Sequence, residues 1–281
     1  MKVWAHTLVK NEAKWLWYSV ESVIDLVDRV LLWDTGSTDG TLDVIRLLEK
    51  KHPSKIEFRE YGEVTPETFP LARQEMLEST KADWILILDG DEIWWQDSIR
   101  SLLSVVKNEG NEIESIVVPT INMVGDMFHF QEEEAGRYHL AGHSGHLNLR
   151  AFSTSIQGLH AEGAHGIFGW KDGKGLRIED RDSGKIRFIN APYIHATHLQ
   201  RSDILEKDIN VPKRSKKFKY EAGIEVPRDF YYPEAFFGER PAFVPSVWGV
   251  PEFGYKLRSS FETPVKRIYR RTFMKNKKYG Y

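Results

Sequence analysis

Asp89-Gly-Asp91-Glu92 stands immediately after Trp84-Ile-Leu-Ile-Leu88, an apolar run that ends abruptly in acid. Such a run reads as a buried strand, and open α/β sheets bind their ligands outside the carboxyl ends of their strands. Two carboxylates one glycine apart, Asp89 and Asp91, can share a hard divalent cation. Mn²⁺ or Mg²⁺ at that point keeps open positions for phosphate oxygens and so suits a nucleotide diphosphate. The same residues also fit a strand followed by an acidic turn, because Asp and Gly are ordinary turn formers. The two readings part on whether other polar residues gather at neighbouring strand ends.

The elements that must position them alternate over the first third of the chain. Val3 to Val9 is an apolar strand, and Asn11 and Glu12 lead from it into a helix with Leu16, Val20, Val23, Ile24 and Val27 on one face. Val30 to Trp33 is a second strand, closed by Asp34-Thr-Gly-Ser-Thr-Asp-Gly-Thr41. The Ser, Thr and Asp residues of that loop are good caps for a helix that turns Leu42, Ile45 and Leu48 inward. Ile56 to Tyr61, Phe69 to Ser79, the Trp84 strand, a helix from about Ser98 to Lys107 and a strand from Ser115 to Pro119 continue the alternation. This order predicts an α/β fold with a mostly parallel central sheet and helices on both faces. Acidic and small residues therefore collect at the ends of strands one, two and four.

Beyond residue 120 the alternation stops. Residues 121–145 carry Gly, His and the acids Glu132, Glu133 and Glu134, the mark of a mobile functional loop. Leu147–Phe152 and Ile186–Ile194 read as strands, and from 211 onward the chain reads as an irregular extension with a few short helices. The chain has 281 residues and no cysteine, which excludes disulfides, thiolate metal sites and a Cys nucleophile. Its first residues lack the apolar core of a signal peptide and no apolar run reaches the length of a membrane span, so a cytoplasmic protein is expected. Positive charge concentrates late. Residues 241–281 hold nine Lys or Arg against Glu252 and Glu262, and Lys213-Arg-Ser-Lys-Lys-Phe-Lys219 adds five more. Beside a plain solvated face, this suggests an anionic partner, a membrane surface, a phosphate-bearing acceptor or nucleic acid, with a peripheral contact to the inner membrane face through the basic C-terminus ahead of nucleic acid.

Gly36 and Gly40 do not form a Gly-x-Gly-x-x-Gly cradle, and no Gly-Lys-Ser/Thr P-loop is present. A diphosphate would therefore be held by side chains and a metal. Val9-Lys-Asn-Glu12, Asp34-Thr-Gly-Ser-Thr-Asp-Gly-Thr41, Ala72-Arg73 and Leu88-Asp-Gly-Asp-Glu92 occur in an order that resembles the family 2 glycosyltransferases. The resemblance covers roughly residues 1–120. It implies a GT-A fold, an Asp-x-Asp metal motif and transfer of a sugar from a nucleotide-diphosphate donor, UDP-linked by preference, to an acceptor hydroxyl with inversion. It also implies that Asn11, Glu12, Asp34 and Asp39, with Thr7, Gly36 and Ser37, shape the nucleotide-sugar pocket. Arg73 would lie near the nucleotide, Asp89 would face the ribose or a metal-bound water, and Asp91 would ligate the metal. Many members carry a second acid where this chain has Thr35, which leaves the choice of base open.

On this reading residues 1–120 bind the donor, 121–210 bind the acceptor and complete catalysis, and 211–281 form a basic, aromatic extension. Inverting transfer needs a carboxylate to take the acceptor proton. Glu162, Asp172, Glu179, Asp180 and Asp182 are the downstream candidates. Gly166-Ile-Phe168 followed by Glu179-Asp180 resembles the region that holds the base in the family, which puts Asp180 first and Glu162, flanked by His160 and His165, second. His195 and His198 are candidates for a late histidine ligand. The acceptor could be a glycan, a lipid-linked molecule or a protein. The competing reading is a phosphatase of the haloacid dehalogenase type, with Asp89 as nucleophile and Asp91 as acid/base. A non-catalytic nucleotide-sugar-binding protein is the third.

Overall fold

The computed structural model describes residues 1–273. Strands β1 (Val3–Val9), β2 (Arg29–Asp34) and β4 (Trp84–Ile87) are buried almost throughout. That is the burial of parallel strands covered by helices on both faces. Between them lie α1 (Leu16–Val23), α2 (Thr41–Lys51), β3 (Ile56–Glu60) and α3 (Phe69–Ser79). The parallel registers set Val9 beside Asp34 and His6 beside Ile87, so the loops after β1, β2 and β4 leave the sheet along one edge. That edge is where the acidic and small residues gather.

After β4 come β5 (Glu92–Trp94), α4 (Gln96–Glu109) and β6 (Ser115–Asn122). The sheet runs β3-β2-β1-β4, then the strand Leu147–Ser153, then β6, the strand Tyr193–His195 and β5. Leu147–Ser153 is antiparallel to both β4 and β6, while Tyr193–His195 runs parallel to β6 and antiparallel to β5. Its register puts His195 opposite Glu92, which delivers a histidine to the acidic turn. The main core packs Trp84, Leu86, Trp94, Ile116 and Tyr193 against α1, α2 and α4.

Three sequence expectations are revised. Ile186–Ile194 is not one strand but two, Ile186–Phe188 and Tyr193–His195, both paired with β6. Pro192 lies in the gap, where a residue without an N–H cannot serve a central ladder. In the 121–145 segment Glu132 is buried against Arg270, and Tyr138–Leu140 pairs with His143–Gly145 as a hairpin. Where an irregular extension with a few short helices is expected, the described residues include a 21-residue helix, Phe253–Phe273. Its internal Pro264 masks an apolar spacing of four residues running through 253, 257, 261 and 265. Lys275, Lys277 and Lys278 of the basic C-terminus lie outside the described residues.

Candidate functional site

The β4–β5 turn is built for close approach. A Cβ on Gly90 would come within 2.9 Å of Glu12 Cγ and 3.0 Å of Val9 Cγ1, so only glycine lets the acidic turn nest on the loop after β1. Ser19 Oγ donates to the Asp89 carbonyl at 2.9 Å, and the Ala196 amide donates to the Asp91 carbonyl at 2.9 Å. These bonds tie the turn to α1 and to the end of the strand carrying His195.

Buried and half-buried carboxylates here meet an equal number of guanidiniums. Asp89, 22% exposed, lies 3.2 Å from Arg73 Nη2 and 3.5 Å from Arg150 Nη2. Asp91 lies 3.0 Å from Arg201 Nη1 and 3.3 Å from His195 Nε2. Glu12 is bound by Arg201 and by Arg214 Nη2 at 2.6 Å, and Glu92 is bound by Arg150. Without such partners the acids could not stay charged out of water. Burial alone would raise Asp91, but Arg201 and His195 outweigh it and hold the carboxyl well below its ordinary range. Burial likewise acts to raise Asp89, and Arg150 and Arg73 bring it down. Glu92 is pushed up to about 8 by burial despite Arg150, with Asp89 and Asp91 adding to the rise.

Neither contact to Asp91 has hydrogen-bond geometry, and both its oxygens are buried without a hydrogen-bond donor. Orphaned carboxylate oxygens beside a histidine nitrogen are a donor set for a hard cation. Among the described residues no three His, Asp, Glu or Cys side chains are grouped to cage a metal. That suits a site in which one carboxylate and a histidine carry the ion and a diphosphate supplies the rest, the usual economy of Mg²⁺ sites.

Two open cavities meet here. The first, about 130 Å³, is lined by Val9, Glu12, Thr35, Arg73, Asp89 and Asp91 and is capped by Val211, Pro212 and Arg214. The second, about 480 Å³, shares Asp89, His165, His195 and Lys217 with it. Of the residues singled out in the sequence, Glu12, Arg73, Asp89, Asp91 and His195 line the first cavity together.

Thr7, Asn11, Asp34, Gly36, Ser37 and Asp39 do not line the first cavity but brace the loops behind it. Thr7 is buried in β1. Asp34 Oδ1 accepts from the Gly36 and Ser37 amides, both at 2.9 Å, and Gly36 adopts a left-handed φ of +85°. Asn11, at φ 55°, donates its amide to Ser37 Oγ at 2.8 Å and accepts from the Thr38 amide at 2.8 Å. Asp39 accepts from the Thr41 amide at 2.9 Å, fixing the start of α2.

His198 is turned elsewhere. Its Nδ1–H donates to the Lys217 carbonyl at 2.8 Å, and Nε2 faces Lys219 Nζ at 3.1 Å. Neither Asp180 nor Glu162 lines the two cavities. Glu162 is exposed, bound to Lys171 at 2.8 Å and His160 at 3.3 Å. Asp172 is held by Arg181, and Asp182 accepts from the Gly184 amide at 2.9 Å. Glu179 lines a small cavity of about 30 Å³ together with Arg73 and Arg150, and burial raises its pKa.

Sequence reasoning did not assign roles to Arg150, Arg201, Arg214 or Glu92. The available signal was charge balance: Glu12, Asp89 and Asp91 brought to one buried edge require cations, and Arg201 follows the two histidines directly.

The family model for glycosyl transferase family 2 matches residues 6–168. No curated protein matches the sequence. Among solved structures, TarS of S. aureus aligns at 14% identity and a TM-score of 0.48, over 74% of this chain and 42% of that one. This chain therefore spans well under half the length of that protein. Glucosyl-3-phosphoglycerate synthase from Mycobacterium tuberculosis, crystallised with Mn²⁺, UDP-glucose and phosphoglyceric acid, aligns at 17% identity and a TM-score of 0.44, over 73% of this chain and 74% of that one. The sequence match spans more than half of the chain, and the large, mixed central sheet is that of a GT-A fold. The chain belongs to glycosyl transferase family 2.

Proposed function

We propose that the protein transfers a sugar from a UDP-linked donor to an acceptor hydroxyl, with Mn²⁺ or Mg²⁺ and with inversion. The observation that carries this is the β4–β5 turn itself. It sets the orphaned Asp91 oxygens beside His195 where two cavities meet, one for a donor and one for an acceptor. Asp91 and His195 would hold the metal, which supplies Lewis-acid stabilisation of the departing diphosphate. Arg73 and Arg150 fix Asp89 at the junction, and Arg201 fixes Asp91 to Glu12.

In the transfer the bond from the anomeric carbon to the β-phosphate oxygen breaks and a bond to the acceptor oxygen forms. The acceptor proton passes to a carboxylate, which we place in the Glu179–Asp180 step. Of the downstream candidates Glu179 is the one that shares a cavity with Arg73 and Arg150, the two arginines that hold Asp89, and Arg150 also lines the second cavity. The raised pKa of Glu179 moves it toward the working range of a general base.

The first cavity, at about 130 Å³, is smaller than the roughly 300 Å³ at which ligand pockets begin. The segment over it is pinned by Arg214, which donates to the Asn11 carbonyl at 2.5 Å and the Lys10 carbonyl at 2.8 Å. Donor binding therefore displaces residues 211–214 and exposes Asn11 and the loop after β2 to the nucleoside.

A nucleotide-sugar panel with Mn²⁺ tests the reading. Slow release of nucleoside diphosphate, and UDP binding that weakens in EDTA and on Arg73→Ala, are expected. Hydrolysis of a generic phosphomonoester instead would favour the phosphatase chemistry, and UDP affinity unchanged by EDTA would remove the metal.

We also propose that the helix Phe253–Phe273 rests on an anionic membrane surface. Phe253, Leu257, Phe261, Val265, Ile268, Tyr269 and Phe273 are exposed along it, and the helix carries six basic residues against Glu262. A stripe of apolar and aromatic side chains bordered by cations is the composition that an anionic interface selects. Among the described residues no helix is long and apolar enough to cross a membrane.

A further inference from the structure

The second cavity differs from the first in its charge. Six Lys or Arg side chains line it, Arg137, Arg150, Lys213, Lys216, Lys217 and Lys219, with four histidines, and Asp89 is the one carboxylate on its wall. Arg150 is committed to Glu92 and Tyr193, and Lys213 donates to the His165 carbonyl at 2.5 Å. Lys216, Lys217 and Lys219 are less occupied. Among the described residues the ammonium groups of Lys216 and Lys217 have no hydrogen-bond or ion-pair partner. Lys219 Nζ reaches only the neutral ring of His198, at 3.1 Å. Glu221, two residues on from Lys219, is already held by Arg270 at 2.5 and 2.6 Å.

Cations crowded on one wall repel each other, and burial adds to the cost of charging them. Lys219 shows both effects: burial, outweighing the help of Glu221, and then Arg270, Lys266 and Arg137 bring its pKa down to about 8. Such a wall is stable when a multivalent anion sits among the cations. A neutral sugar acceptor calls for aromatic faces to stack on, and although Asn122, Gln131 and Asn148 also line the cavity, Tyr138 is its only ring besides the histidines. A carboxylate would use one or two donors. A phosphate dianion offers oxygens to several at once, matching dispersed ammonium groups rather than one fork.

We propose that the acceptor of this transferase carries a phosphate or diphosphate group, bound by Lys216, Lys217 and Lys219 with Arg137. The hydroxyl to be glycosylated then lies toward Asp89, His165 and His195, where the second cavity opens into the first. The phosphate group could belong to a soluble sugar phosphate or to a lipid-linked one, and the basic wall answers to the group they share. This inference rests on the donor reading of the first cavity.

The test is a calorimetric titration of inorganic phosphate into protein saturated with UDP and Mg²⁺, compared with the Lys216→Glu/Lys219→Gln double variant. Phosphate is expected to bind the wild type in the millimolar range and about tenfold or more weakly in the variant, with UDP affinity the same in both. Lys216→Glu alone, at an exposed position, should still weaken phosphate several-fold if the double variant folds poorly. Phosphate binding that is absent, that UDP displaces, or that the substitutions leave unchanged would overturn the proposal. A wild type that fails to bind UDP would instead overturn the donor reading. In that case phosphate titrated into nucleotide-free protein, with the same variants, still decides the basic wall. Glucose 6-phosphate and a phosphorylated polyprenol in detergent, each against its unphosphorylated counterpart, then separate the two sources.

Discussion

Arg201 Nη1 lies 3.0 Å from Asp91 Oδ2, while its Nε donates to Glu12 Oε2 at 2.9 Å. One buried side chain thus clamps the loop after β1 to the turn after β4, across 189 residues of sequence. Truncating it leaves two buried acids short of a cation, which typically costs about 3–5 kcal/mol. Arg201→Met is expected to lose stability on that scale in urea unfolding, and Arg201→Lys, which keeps the charge but not the fork, to lose less. A Met variant as stable as wild type would mean that Arg214 alone satisfies Glu12.

Asp91→Asn should abolish transfer and donor hydrolysis, by on the order of a thousandfold, with the protein still folded. The amide keeps the shape but removes the charge that Arg201 and His195 hold in place. Nucleoside diphosphate release and a thermal melt check this together. Near wild-type turnover with Mn²⁺ would remove Asp91 from the metal.

Among the carboxylates downstream, Glu179→Gln should remove acceptor transfer while sparing UDP binding. Asp180→Asn should cost less, and Glu162→Gln nothing beyond its surface pairing with Lys171 and His160. Single-turnover transfer rates for the three variants, beside UDP calorimetry, rank them. Transfer unaffected in all three would place the base elsewhere.

His6 makes the fold acid-sensitive. Its Nε2 is 2.7 Å from Thr80 Oγ1, whose own proton goes to the Met76 carbonyl at 2.7 Å, so Nε2 carries the ring hydrogen. Nδ1 is buried without a partner, and burial, with Arg73 adding, lowers the pKa to about 3. The folded value lies below the unfolded one, so acid protonates the unfolded chain first. The contribution is intact above about pH 6.5 and is lost at about 1.4 kcal/mol per pH unit toward pH 3. Between pH 7 and 5 the wild type should lose about 2 kcal/mol more than His6→Gln, read by urea unfolding at each pH. Parallel curves would assign the acid sensitivity to other buried histidines.

For the C-terminal helix, co-sedimentation with anionic but not neutral vesicles, lost at high salt, is expected. Phe261→Ser with Ile268→Ser should abolish it, since both side chains are exposed. Deleting the helix is the poorer test, because Arg270 is the ion partner of buried Glu132 and Glu221. Pelleting unchanged by the double substitution would end the membrane assignment. Self-association of the wild type that the same substitutions reverse would assign the stripe to a second copy instead.

Local pattern determined the first half of the molecule. The apolar runs Val3–Val9 and Trp84–Leu88 are short, lack a strict polar alternation and read as strands buried on both faces, which puts the short polar stretches after them at one sheet edge. Asp89, Asp91 and Glu12 were legible for that reason, whereas Arg73, inside α3, was reached through the family resemblance. The cations that neutralise them were not, because Arg150, Arg201 and Arg214 lie far along the chain and only sheet pairing and the returning segment bring them in. His195 and His198 look equivalent in sequence, yet the register of Tyr193–His195 against β5 turns the first to Asp91 and leaves the second to the Lys217 carbonyl. The late basic residues read in sequence as a solvated face or a contact for an anionic partner, but Glu132 and Glu221 take Arg270 into the interior and leave apolar side chains of the helix exposed. Sequence specifies which elements form, because hydrophobic period is local. Charge pairing across hundreds of residues depends on which edges meet, and that only the tertiary structure decides.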